Sequence, residues 1–256
     1  MSCVVVSKYS EGKIGKGDFL LRDAVIGTAD YLNRFLSEKK LDTRFKVIHP
    51  KSMEMHEVYL YRSLRNQQFA NEFGFSYEDF EDPTYSDNYV EPDGGVIWLL
   101  DNKTHQRYPL LAAEMKYQGT NKGRKAAGLE KQASGNANER AGKYAMLFRT
   151  LWEFDDILPF VVFHCGCDYN IKGQKNLPMD SNSKTQMAKL LAMNSFFPVN
   201  KVFTSKNMPK TRRVLPNTVM VKEDFWTCEE MRKTLDTVGL DSLKYYLNLI
   251  KRNAKF

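Results

Sequence analysis

Residues 92–116, PDGGVIWLLDNKTHQRYPLLAAEMK, place an acid at each end of a largely apolar stretch and a lysine two positions beyond the second acid. Residues 96–100 and 108–115 have the apolar, strand-forming character of a hairpin, and the polar DNKTHQR between them supplies the turn. Side chains alternate along a strand, so Glu114 and Lys116 share one face with Leu110 and Ala112, while Leu111, Ala113 and Met115 take the other. Folded about its middle, between Lys103 and Thr104, the hairpin sets Asp93 beside Glu114, give or take a residue or a bulge.

Adjacent carboxylates repel unless a cation lies between them, and hard oxygen ligands with water completing the shell are what Mg2+ takes. The pair thus reads as a divalent-metal seat, with Lys116 placed to hold a phosphate oxygen or to orient an attacking water, as metal-assisted phosphodiester hydrolysis requires. Two glycines directly after Asp93 allow a phosphate or metal to approach the backbone closely. The competing reading is an Asp at a turn and an exposed Glu–Lys pair on an edge strand.

Positive charge follows this stretch. The chain of 256 residues carries a formal charge of +7. Between Asn121 and Arg149 the cations Lys122, Arg124, Lys125, Lys131, Arg140, Lys143 and Arg149 face only Glu130 and Glu139. A second cluster, Lys206, Lys210, Arg212 and Arg213, falls in a loop-like segment. Both suit a polyanionic partner such as nucleic acid, and both could equally be solvated surface.

Within the first basic stretch, SGNANER at 134–140 carries its own recognition chemistry. An Asn amide can bond adenine N6 and N7, an Arg can donate to purine N7 or O6, and Ala can pack on a thymine methyl. The alternative is a helix cap, with Asn136 satisfying free amides and Glu139 completing a capping box.

The positioning elements follow from periodicity. Helical spacing predicts helices over 18–41, 55–73, 137–154, 183–195 and 241–252, with a loop over 76–89. Strands are expected at FVVF, 160–163, which Leu158-Pro159 leads into and which is dense enough to be buried on both faces, and at 199–203 and 218–221. Helices before, between and after strands make a mixed α/β domain. We expect one domain over 1–256: a helical amino-terminal part at 1–90, a catalytic and recognition core at 91–205, and a carboxy-terminal part at 206–256.

No apolar run of about eighteen residues exists to span a bilayer, and the opening MSCVVVSKYSEGK is too short in apolar residues for a secretory signal, so a cytoplasmic protein is expected. Cys3, Cys165, Cys167 and Cys228 match no common zinc spacing and read as reduced structural thiols, and His164 reads as a core histidine at a strand end. The aromatic pairs 196–197 and 245–246 are expected in the core or at a subunit contact.

Taken together, PDGG at 92–95, AEMKYQG at 113–119 and SGNANER at 134–140, with LPFVVFHCG at 158–166 as a weaker fourth stretch, resemble the EcoRI-type Type II restriction endonucleases, including the MunI-like members, of the PD-(D/E)XK nuclease group. The resemblance covers about residues 92–200. It implies a restriction-endonuclease-like core, a mixed β-sheet flanked by α-helices, in a homodimer that cuts double-stranded DNA at a short palindrome with Mg2+. Carried over by position, Asp93 and Glu114 bind the metal, the Met115 carbonyl is a further ligand, and Lys116 assists the water or the transition state. Gln118 touches bases. Gly135, Asn136 and Ala137 run extended in the major groove, with Glu139 and Arg140 opening the helix behind them. Lys122, Arg124 and Ala133 complete the expected DNA contacts, and an AATT-centred site is implied.

The chain departs from the family's pattern at Gln132, Ala133 and Ser134, where Met-Ala-Ala precedes GNA, and at Gln186 and Lys189, where the family has arginines; the flanking bases stay open. A nuclease that reads DNA shape, as in repair or junction resolution, and a DNA-binding regulator without catalysis are the alternative functions.

Overall fold

The computed structural model describes residues 16–66, 68, 71, 89–118, 128, 135–166, 188–209, 215–222 and 224–253, with the backbone alone at 16, 117, 118, 135–138 and 166. Helix α1, Lys16–Glu38, buries Leu21, Ala24, Val25, Thr28, Leu32 and Leu36, the stripe that the periodicity predicts. It stops where Lys40 turns left-handed (φ 57°) and the Leu41 amide reaches back to the Leu36 carbonyl at 2.8 Å, a Schellman-type end made without glycine.

Strand β1, Phe45–Ile48, follows, then the two-residue strands β2, Met53–Glu54, and β3, Tyr89–Val90, which pair with each other. Between them α2, Met55–Arg65, opens on a capping box in which Glu54 and Glu57 satisfy each other's amides. The helix expected over 55–73 is seen through Arg65, its end capped by Asn66.

Strands β4, Val96–Asp101, and β5, Arg107–Gln118, form the expected hairpin. Leu100 pairs with Arg107 and Trp98 with Pro109, in the register read from the sequence; beyond Trp98 it slips, so Ile97 faces Leu111. Pro109 has no amide to give the ladder, which makes it the natural place for a bulge. Its carbonyl is taken instead by the Trp152 indole at 3.1 Å.

Strand β6, Phe160–Gly166, and β7, Thr218–Lys222, complete a sheet of order β1-β4-β5-β6-β7, antiparallel on the β1 side of β5 and parallel on the other. Phe160, Val161, Val162 and Phe163 are all fully buried, as a strand covered on both faces demands.

Helix α3, Gly135–Leu151, lies on one face, its Phe148 ring 4.6 Å from that of Phe160. On the other face lie α1 and the closing helix α4, Cys228–Asn253, which meets Thr28, Leu32 and Leu111 around Gly239. Among the described residues one buried cluster runs through these layers. A polar hub joins α2 and α4: Asp155 receives bonds from Arg65 (3.1 Å), Tyr245 (3.3 Å), Tyr246 (3.2 Å) and the Tyr61 hydroxyl.

Three sequence expectations need correction. Helix α4 begins at Cys228 rather than 241, because Met231, Leu235 and Val238 continue the buried stripe upstream. Residues 199–203 form no strand: Asn200 is left-handed (φ 58°), and its side chain and the Thr218 hydroxyl take the amides of Val221 and Phe203 (2.7 and 3.0 Å) that a ladder would use. Gly135–Ala137 are helical, not extended, since α3 starts at Gly135; Ala141, Ala145 and Phe148 anchor the helix, and each residue added upstream of an anchored turn gains a hydrogen bond. Of the helix expected over 183–195, residues 188–193 are helical; of the loop expected over 76–89, residues 76–88 lie outside the described residues and Tyr89 opens β3 instead.

Candidate active site

Strand β5 is central in the sheet, not an edge. Glu114 is 0% exposed, Lys116 14% and Asp93 28% by side chain, so the group opens outward from a fully buried carboxylate. The alternative of an exposed Glu–Lys pair on a sheet edge is therefore excluded.

The turn bearing Asp93 is fixed from several directions. The Gly94 amide donates to the Ala113 carbonyl at 3.0 Å, and the Gly95 amide closes the turn on the Pro92 carbonyl at 2.7 Å. Gly95 has φ +76°, and a Cβ there would lie 2.9 Å from both His49 Nε2 and the Pro50 carbonyl. The two glycines thus serve a close backbone approach, to this chain's own β1 exit. His49 sits with Nε2 2.9 Å from the Gly94 carbonyl, which makes that nitrogen the donor; burial keeps the imidazole's pKa below its ordinary value.

Backbone and side chains then interlock. The Asp93 amide donates to Glu114 Oε2 at 2.9 Å, and the Met115 amide donates to Asp93 Oδ2 at 3.1 Å. The Lys116 ammonium lies 3.1 Å from Asp93 Oδ2 and is ion-paired with Glu114 Oε1 as well. Burial, reinforced by the Asp93 charge and opposed by Lys116, pushes the Glu114 carboxyl up to about 7. Burial alone would lower Lys116, but the charges of Glu114 and Asp93 outweigh it and hold the ammonium above its usual value.

Two further residues flank the group. His164 pairs in register with Lys116 on the neighbouring strand, fully buried, with its pKa lowered to about 3 by burial and then by the Lys116 charge, so it is neutral, as a core histidine should be. Tyr144, one turn past Arg140 on α3, donates its hydroxyl to the Glu91 carbonyl at 3.1 Å. Neither His49 nor Tyr144 stood out in the sequence. His49 is 45 residues from its partner, with no local pattern to mark it. Tyr144 did carry a signal, its helical spacing of four from Arg140.

Of the expected DNA-contacting residues, Glu139 and Arg140 are exposed on the first turns of α3, where Glu139 pairs loosely with Lys143 at 3.8 Å. Gly135, Asn136 and Ala137 form the helix start, and Gln118 ends β5. Lys122, Arg124 and Ala133 lie outside the described residues. Arg149, counted in the basic stretch, is committed to the fold, bonding the Met193 carbonyl and Asn217. Cys165 and Cys228 are buried, as structural thiols should be.

A mixed five-stranded sheet flanked by helices, with its acids on the central hairpin, is the restriction-endonuclease-like fold. Comparison with protein families matches residues 77–252 to the restriction endonuclease EcoRI family, and the chain belongs to it. It is thus a Type II site-specific deoxyribonuclease, a hydrolase that acts on double-stranded DNA. The match extends past residues 92–200, where the motifs lie, to take in β7 and nearly all of α4. A search of curated proteins returns no match.

Enzymes of this family generally use divalent metal ions. The donor set fits one: Asp93 and Glu114 offer hard carboxylate oxygens, and the Lys116 ammonium drawn between them shows that the pair attracts positive charge. Among the described residues no cluster of three His, Cys, Asp or Glu forms, and Glu72, Glu78 and Glu81, acids upstream of Asp93 that the sequence offers as a further ligand, lie outside them. Two carboxylates with water and substrate oxygens are a sufficient set for Mg2+. Among the described residues no helix is long and apolar enough to cross a membrane.

Proposed function

We propose that this chain is a Mg2+-dependent, homodimeric, cytoplasmic restriction endonuclease that cuts a short DNA palindrome centred on AATT. The observation that carries the reading is the fully buried Glu114 sharing the Lys116 ammonium with Asp93. Removing two carboxylates and an ammonium from water is costly, and hydrophobic residues would fill such a place at less expense to stability, which argues for a chemical use.

In this reading Asp93, Glu114 and the Met115 carbonyl hold the metal. The chemistry Mg2+ supplies at such a seat is neutralisation of charge on a phosphate oxygen and a lowered pKa for water. Lys116 has three N–H groups; with two directed at Asp93 and Glu114, the third can donate to the scissile phosphate. Arg140, Glu139 and the 135–137 segment read bases from the start of α3, assisted by Ala133 and Gln118, while Lys122 and Arg124 contact phosphates. The AATT centre rests on the resemblance of GNANER to the family's motif. A palindromic target is matched by an isologous dimer, whose two active sites address the two strands alike.

Purified protein incubated with genomic DNA and Mg2+, followed by sequencing of the fragment ends, tests this directly. One recurrent palindrome with a constant stagger is expected. Ends without common sequence, or nicks confined to junctions, would replace it with a shape-reading nuclease. Sedimentation of the protein should give twice the chain mass.

A further inference from the structure

The turn that carries Asp93 is held from both layers of the fold. On the α1 side, Val25 Cγ2 would lie 2.9 Å from a Cβ at Gly94, and His49 bonds the Gly94 carbonyl at 2.9 Å. On the α3 side, the only tie the hydrogen bonds of the described residues show is Tyr144, whose hydroxyl reaches the carbonyl of Glu91, two residues before Asp93, at 3.1 Å. Burial, then the Glu114 carboxylate, raises the phenol above its usual value, so it stays protonated and stays a donor.

The other end of this connection is the base-reading helix. Tyr144 lies four residues after Arg140, hence one turn along and on the same face. The rise from Gly135 to Tyr144 is about 14 Å of unbroken helix, a rigid lever rather than a loop. The α1 side offers nothing comparable, since His49 and Val25 belong to elements without any of the proposed DNA contacts.

We infer that Tyr144 is a positioning residue that couples recognition to cleavage: it makes the place of Asp93 depend on how the start of α3 is seated on DNA. This rests on the nuclease reading above and deepens it to the control of that site. Seating of α3 on the correct bases would set the Glu91–Asp93 backbone against β5, and a misplaced helix would draw Asp93 away from Glu114. A shift of about 1 Å is enough to slow such chemistry about a hundredfold.

The test is Tyr144→Phe, which removes one hydroxyl and keeps the ring stacked near Phe148 (centroids 6.4 Å apart). Single-turnover cleavage of the cognate site should fall about tenfold or more, with cognate affinity in Ca2+ within about twofold of wild type and the thermal midpoint unchanged. Incorporation of p-aminophenylalanine at 144, whose N–H donates from the same position, should restore the rate. Combined with Arg140→Ala, the loss in cleavage rate should be clearly less than the product of the two single losses, because both act through one connection.

Wild-type cleavage by Tyr144→Phe overturns the coupling. So does a fall in rate matched by an equal fall in affinity, which would make the hydroxyl a DNA contact. Failure of the wild-type chain to cut any DNA in Mg2+ or Mn2+ would instead fell the nuclease reading, and the coupling with it.

Discussion

Asp93 and Glu114 are tied together by amide-to-carboxylate bonds as well as by the Lys116 ammonium they share. The Asp93 amide bonds Glu114 Oε2 at 2.9 Å, and the Asp93 carboxylate accepts from the amide of Met115, the residue after Glu114, at 3.1 Å. Beyond the Val96–Ala112 pair the turn thus continues the hairpin, first through the Gly94–Ala113 backbone bond and then through side chains. Drawing either acid away from the other breaks these bonds.

Glu114→Ala should therefore abolish cleavage while leaving DNA binding intact. The expected loss in single-turnover rate is about a thousandfold or more, comparable to removing a principal stabiliser of transition-state charge. Cognate affinity measured in Ca2+ should change by less than about threefold. Turnover at the wild-type rate would remove Glu114 from the chemistry.

The buried carboxyl also predicts an unusual dependence on pH. An unfolded glutamate titrates near 4.5 and Glu114 in the fold at about 7, so between those values the folded chain keeps a proton that the unfolded chain has released. The contribution of Glu114 is fully present below 4.5 and is lost as pH rises to about 7, by roughly 3 kcal/mol in all. His164 acts in the opposite sense: its pKa of about 3 in the fold, against 6.5 when free, makes stability fall as pH drops below 6.5. Urea unfolding without divalent metal at pH 5, 6, 7 and 8 should thus show the Glu114 term as the difference between wild type and Glu114→Gln, and a flat difference would refute it. Metal binding requires the ionised carboxyl, so the Mg2+ needed for half-maximal cleavage should fall as pH rises through about 7 and level only above it.

How much of this was legible from sequence depended on range. The hairpin and its register were readable because turn and strands are local, and the slip at Trp98 follows from Pro109, which the sequence also displays. The convergence of Asp93, Glu114 and Lys116 came from the same local alternation. The burial of Glu114 was not readable, because it depends on β6 pairing in parallel alongside β5, after a crossover through α3. Residues 199–203 look strand-like, yet Asn200 in a left-handed conformation replaces their ladder with side-chain bonds. His49 and Arg149 have roles set by partners far along the chain, and no periodicity encodes those.

Gly95 offers a test of the turn by itself. An alanine there combines a left-handed backbone (φ +76°) with contacts of 2.9 Å to His49 Nε2 and the Pro50 carbonyl, and the carbonyl cannot move aside as a flexible side-chain tip could. Gly95→Ala should cost about 1–3 kcal/mol and raise the Mg2+ requirement as Asp93 is displaced. Gly128→Ala is the control: its φ is +70° but no described residue lies within 4 Å of a Cβ, so it should cost only about 1 kcal/mol and leave the Mg2+ response unchanged. Equal effects at the two positions would mean that the close approach at Gly95 carries no function.

Arg140 distinguishes base reading from mere attraction to phosphate. It is exposed on the opening turns of α3, one turn before Tyr144, so its guanidinium is available to DNA. If it donates to a purine edge, Arg140→Ala should lower cognate affinity by about 1–3 kcal/mol, leave non-specific affinity nearly unchanged, and relax the base preference at one position of each half-site. If it contacts a phosphate, both affinities should fall together and the slope of log affinity against log salt should decrease by about one. Titrations of cognate and scrambled duplexes in Ca2+ at several salt concentrations separate the two. The first outcome places sequence reading one helical turn from the hydroxyl that steadies Asp93; the second leaves recognition to the residues before Glu139.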